Sequence, residues 1–105
     1  MNPAWAVLVL AGLFEIVWAV ALRQSAGFTR PVPAVIVGVA AFASFWLLSR
    51  AMIGLPIGTA YAVWVGIGAV GVAVIGIIGF AEPAGLTRLA GLALVIAGIG
   101  LLKIG

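Results

Sequence analysis

Glu15 falls inside a long apolar run, residues 4–22, about two positions from its midpoint. At 1.5 Å per residue that is roughly 3 Å from the centre of a helix built from the run. An acidic residue at the centre of a membrane helix costs on the order of 2.5–3.5 kcal/mol on insertion scales. No Lys or Arg lies at a similar depth to compensate. A carboxyl so placed marks an ion path or a proton relay. In a low dielectric it holds its proton until a cation arrives, and the bound cation then expels the proton. One such residue exchanges protons for cations without any nucleotide. The blander alternative is a protonated Glu that merely bonds between helices.

Helical spacing gives Glu15 a pocket wall. Gly12 and Ala11 lie three and four residues before it, Trp18 and Ala19 three and four after, all on one face. Gly12 and Ala11 admit another helix at close range. Trp18 offers an indole N–H to the carboxylate and an aromatic face to a cation. It is too far inside the run to be an interfacial anchor, a role that suits Trp5. Ser44 is the hydroxyl well inside the second apolar run, and bonding back to its own helix is its plain alternative. Tyr61 and Trp64 are three apart on one face of the third run. Tyr61 also fits an interfacial belt, whereas Trp64 is deeper.

These residues need elements to hold them, and the composition dictates which. The chain has 105 residues, 67% hydrophobic and 7% charged, with five Lys+Arg, two Asp+Glu and a net charge of +3. A soluble domain averages about 25% charged residues, so the polar shell is missing here, and a chain this apolar is not disordered either. Five scattered basic residues form no stripe for nucleic acid. With no Cys and no His there is no disulfide, no thiol chemistry and no zinc site of the usual ligands. No nucleophile, base pair or metal set for an enzyme is present, and no cofactor is called for.

The seven charged residues divide the chain into four candidate membrane helices, approximately residues 4–22, 31–49, 57–80 and 86–104. A membrane helix needs roughly 17–25 mostly apolar residues. The fourth reaches that length if it starts near Leu86 and Arg88 snorkels to the headgroups. Barrel strands would alternate apolar and polar residues, and these runs do not. Connectors at 24–30, 50–56 and 81–87 hold Ser25, Gly27, Gly54, Pro83 and Gly85, and Pro31 and Pro56 sit at helix starts. The first run lacks a preceding Lys or Arg and contains Glu15 and Trp18, which distinguishes it from a signal peptide. The expectation is an all-α, single four-helix transmembrane domain.

Alternating helices put Arg23, Arg30 and Arg88 on one membrane face, and Arg50, Lys103 and the amino terminus on the other. That balance barely biases orientation. Two copies inserted oppositely then meet as an antiparallel dimer, which brings a partner's Tyr61 and Trp64 toward the depth of Glu15. One fixed orientation is the competing reading. Gly66-Ile67-Gly68-Ala69-Val70-Gly71 spells the dinucleotide-binding G-x-G-x-x-G pattern, but it lies mid-helix with no strand before it, so the match is false. Gly66, Gly68 and Gly71 are instead expected to form a hinge, with plain packing as the alternative. Gly91 and Gly98, with Ala90, Ala93 and Ala97 beside them, form a small-residue stripe expected at the dimer interface.

Several segments together resemble the small multidrug resistance family, and within it the guanidinium-exporter subtype. They are Ala11-Gly12-Leu13-Phe14-Glu15-Ile16-Val17-Trp18-Ala19, Gly27-Phe28-Thr29-Arg30, and the stretch from Leu55-Pro56 through Gly58-Thr59-Ala60-Tyr61-Ala62-Val63-Trp64 to Gly66-Ile67-Gly68, with Gly91 and Gly98. The resemblance runs from Trp5 to Lys103. Trp18 and Ser44 point away from the multidrug branch. The resemblance implies a bacterial inner-membrane, dual-topology antiparallel homodimer in which Glu15 of both subunits binds either protons or guanidinium. By matching position, Gly12, Trp18, Ser44, Tyr61 and Trp64 are its pocket residues, Gly66 to Gly71 its third-helix kink, and Gly91 and Gly98 its fourth-helix contact. Two positions depart from the pattern: Val65, commonly Thr, and Arg23, commonly Lys.

The expected function is proton-coupled export of guanidinium, with small substituted guanidinium ions as further candidates. Guanidinium is planar, donates through a rigid fork, is weakly hydrated and stacks on aromatic rings, which suits carboxylates, a hydroxyl and Trp. Two alternatives stand beside it: a quaternary-ammonium exporter of the same family, and one subunit of a paired heterodimer.

Overall fold

A computed structural model describes residues 2–105, and among them every regular element is helical. The chain forms α1 (Pro3–Gln24), α2 (Pro31–Gly54), α3 (Ile57–Gly79) and α4 (Leu86–Ile104). All four are long and apolar enough to cross a membrane. A helix bonds its interior backbone groups within itself, as hydrocarbon requires. α1 starts where Asn2 accepts a hydrogen bond from the Ala4 N–H at 3.0 Å, with Pro3 in the first turn.

The second helix does not stop at Ser49. It continues to Gly54, so Arg50 belongs to the helix and the connector shrinks to Leu55 and Pro56. The charge marks the membrane boundary, whereas Pro56 marks the end of the helix, because a residue preceding proline is driven out of the helical region. Leu55 is extended accordingly, with φ −138° and ψ 151°.

The turn between α1 and α2 is built on Ser25, which is fully buried. Its hydroxyl donates to the Leu22 carbonyl at 2.7 Å and accepts from the Phe28 N–H at 3.1 Å. Ala26, Gly27 and Phe28 all take positive φ, at 49°, 74° and 66°. Two of these are not glycine, so the Ser25 bonds hold a conformation that L-residues disfavour.

The core lies among α1, α2 and α3, on Leu8, Ala11, Leu48, Ala51, Ala60, Val63 and Trp64. The α4 backbone runs alongside α3, with Lys103 reaching over the Trp5 ring of α1, and none of the described residues of α4 is buried. Gly66 gives it room: a Cβ there would meet Ile99 at 2.9 Å.

Candidate functional site

Glu15 projects from α1 toward α3, where Gly68 leaves the space it needs. A Cβ on Gly68 would overlap the Glu15 carboxyl group. Neighbouring turns follow the same rule, with Gly12 of α1 against Ile67 and Gly71 of α3 against Ile16. α3 is unbroken from Ile57 to Gly79, and within this chain Gly66, Gly68 and Gly71 each receive a neighbour's side chain. All three are thus in packing contact in this conformation, the role weighed beside a hinge.

The carboxyl opens into a cavity of about 460 Å³ between α1 and α3. Its inner wall is Glu15, Trp18, Ala19, Val65, Gly68 and Ala69, and its outer wall includes Arg23, Phe80, Glu82 and Arg88. Val65, the departure noted in the sequence, therefore faces the cavity with a methyl group where Thr would carry a hydroxyl. Oε1 of Glu15 and Nε1 of Trp18 are both buried without a hydrogen-bond partner. The indole N–H expected to serve Glu15 therefore does not bond to it here. Two residues of the cavity wall thus each carry a buried polar atom without a partner, an arrangement costly for structure alone.

Ser44 and Trp64 meet away from the cavity wall. The buried Ser44 hydroxyl donates to the Ala11 carbonyl at 2.7 Å and accepts from Trp64 Nε1 at 3.0 Å. One hydroxyl thus joins all three packed helices, and it bonds to another helix where bonding to its own was the plain alternative. Ala11 is also the residue whose carbonyl lies one turn before Glu15, so the node fixes the segment that carries the acid. From it an aromatic series runs across the helices. Trp18 meets Phe45 edge-on at 6.2 Å, Phe45 lies 5.8 Å from Trp64, and Trp64 lies 5.6 Å from Tyr61. Tyr61 is exposed.

Of the expected site residues, the chain brings Glu15 and Trp18 into one cavity, with Gly68 beneath the acid. Gly12, Ser44, Tyr61 and Trp64 are outside its wall, in packing or in the polar node. Gly91 and Gly98 of α4 have nothing within 4 Å of where a Cβ would stand. Sequence reading missed Phe45, which bridges Trp18 and Trp64, and the outer group of Arg23, Phe80, Glu82 and Arg88. Charge alternation places Arg23 and Arg88 on one membrane face, but only the fold shows that they border one opening together with Phe80 and Glu82.

A family profile described as Small Multidrug Resistance protein matches residues 3–95. The chain belongs to the small multidrug resistance family. As such it is a multi-pass protein of the bacterial inner membrane with four spanning helices. Curated relatives in this family include proteins named guanidinium exporter from Yersinia pseudotuberculosis serotype I (strain IP32953) and Proteus vulgaris. Each is 54% identical over 101 residues, covering 96% of this chain and 97% of the relative. A third, from Escherichia coli (strain K12), is also named guanidinium exporter, at 54% identity over 96% of both chains.

Proposed function

We propose that this small multidrug resistance protein is a transporter rather than an enzyme, and that it exports guanidinium in exchange for protons. The observation that carries this reading is Glu15 itself, a carboxyl within a membrane-length helix that lines a cavity and has an oxygen without a hydrogen-bond partner. Similarity to proteins named guanidinium exporters supports it along nearly the whole chain.

The working unit is an antiparallel homodimer of dual topology. Glu15 from both subunits takes up protons from outside; inside, guanidinium displaces them, because a bound cation favours the charged carboxylates. The planar cation donates in pairs to a carboxylate and stacks on Trp18. Tetraalkylammonium ions have no N–H to donate, so they are the weaker substrates. Since the subunits are inverted copies, exchanging their conformations turns the site to the other face. Gly66, Gly68 and Gly71 supply the bend in α3 during that exchange, and Gly91 and Gly98 supply the α4 contact between subunits. Occupancy by either ligand permits the exchange, and the empty charged state forbids it.

The test is uptake of guanidinium into proteoliposomes driven by a pH gradient. Wild type concentrates the ion, and Glu15→Gln abolishes the gradient-driven component. Gradient-driven uptake by Glu15→Gln at the wild-type rate would overturn the mechanism. Faster transport of a tetraalkylammonium than of guanidinium would assign the protein to multidrug export instead.

A further inference from the structure

The cavity has a carboxylate at each end, and each lies against a glycine of α3. Glu15 lies against Gly68, and Glu82 lies against Gly76, where a Cβ would overlap its carboxylate. The glycines are eight positions apart, about 12 Å along the helix, with Val72 and Ala73 lining the cavity between them. Glu82 is not a loose connector side chain. Ala81 takes φ 54°, which turns the chain back so that the Glu82 N–H donates to the Gly76 carbonyl at 3.0 Å. A non-glycine residue in that region is strained, and the strain is spent on returning Glu82 to the end of the helix.

The chain's own guanidinium groups show what the opening accepts. Arg88 Nη2 donates to Glu82 Oε1 at 2.6 Å, while Nη1 donates to the Pro83 carbonyl at 3.2 Å. The Arg23 guanidinium lies over the Phe80 ring, 4.5 Å from its centroid. A carboxylate and an aromatic face are the two surfaces a planar guanidinium cation prefers. Both stand at the opening, and the Glu82–Arg88 pair is about one-third exposed, so it is held weakly enough to exchange.

We propose that Glu82 and Phe80 form an outer binding station for a planar guanidinium cation, at which the incoming ion replaces Arg88 on Glu82 and Arg23 over Phe80 before moving on to Glu15. This rests on guanidinium being the substrate. Arg88 keeps its contact with the Pro83 carbonyl when displaced and returns once the ion has passed. Because the contact requires N–H donors, the station also disfavours quaternary ammonium ions at entry.

Initial rates of guanidinium uptake into proteoliposomes, measured against concentration at a fixed pH gradient and low salt, test the station. Glu82→Gln removes the acceptor charge and is expected to raise KM about three- to fivefold, the scale of an exposed charge pair, with a smaller effect on the maximal rate. Arg88→Gln removes the competitor and is expected to lower KM. A tie that only shapes the opening would be broken alike by both substitutions. Shifts of KM in the same direction, or no shift in either, would therefore overturn the station. Should Glu82→Gln fail to elute as a folded protein, Arg88→Gln and Arg88→Lys decide: KM falls for Gln and less for Lys, and a KM at or above wild type for Gln overturns the proposal. Wild type that carries no guanidinium removes both this inference and the substrate reading, whereas wild-type transport with unmoved KM values removes the station alone.

Discussion

Glycines recur along both α3 and α4, but their surroundings differ. Gly66, Gly68 and Gly71 of α3 each have a side chain of another helix where a Cβ would stand, whereas Gly91, Gly98 and Gly100 of α4 have nothing within 4 Å. The middle of α3 has spent its glycines inside the chain and α4 has not. In lipid, helices gain little from hiding apolar surface, and association depends on close packing. An open small-residue face is therefore what a second subunit would use, while α3 shows what such a face looks like when filled. The difference also separates two surroundings: α3 shapes the room around Glu15, and α4 leaves its small residues open within the chain, as the proposed subunit contact requires.

The largest effect that would sharpen this contrast is expected from Gly68→Ala. The added methyl group collides with the Glu15 carboxyl, and displacing a reacting group by about 1 Å costs on the order of 100-fold. Proton-driven guanidinium uptake should fall by about that factor, with the helix content measured by circular dichroism retained. Uptake near the wild-type rate would mean that the Gly68 notch is dispensable.

Next in size is Gly98→Leu, which fills the open face of α4. Within one chain its Cβ has nothing within 4 Å, so helix content should hold and melting temperature should change little. Dimerisation measured by cross-linking in proteoliposomes should weaken roughly tenfold, as expected when a close helix contact is wedged apart. An unchanged dimer fraction would break the contrast and place the subunit contact elsewhere.

Gly100→Ala is the smallest. With room for the methyl group and a better helix former in place, thermal stability should rise by about 0.5–1 kcal/mol. Loss of stability in that variant would show that Gly100 is packed after all.

Much of this was legible in the residues. Four runs bounded by charge or proline give the four helices, because hydrocarbon demands length and apolarity above all else. Glu15 was conspicuous for the same reason, since a carboxyl at that depth has no cheap explanation. The end of α2 was misread because Arg50 signals where the membrane stops, which is not where the helix stops. Ser44 shows a different limit. Helical spacing gives the face a residue occupies on its own helix but not which carbonyl of another helix it reaches. Glu82 was lost for a related reason: nothing local says that Ala81 turns the chain back over Gly76.

The Ser25 turn has a consequence for the order in which this molecule is made. Its hydrogen bonds all lie between residues 21 and 30, so the hairpin of α1 and α2 is able to close while the ribosome is still completing the chain. The Ser44 bond to Ala11 joins the same two helices and needs nothing from α3, although Trp64 donates to the same hydroxyl once α3 is in place. Gly68, however, follows Glu15 by 53 residues. During biogenesis the acid therefore enters the bilayer ahead of the notch that will receive it, shielded only by what α1 and α2 provide, such as Trp18 against Phe45. The stage of synthesis most exposed to failure is the interval before α3 arrives.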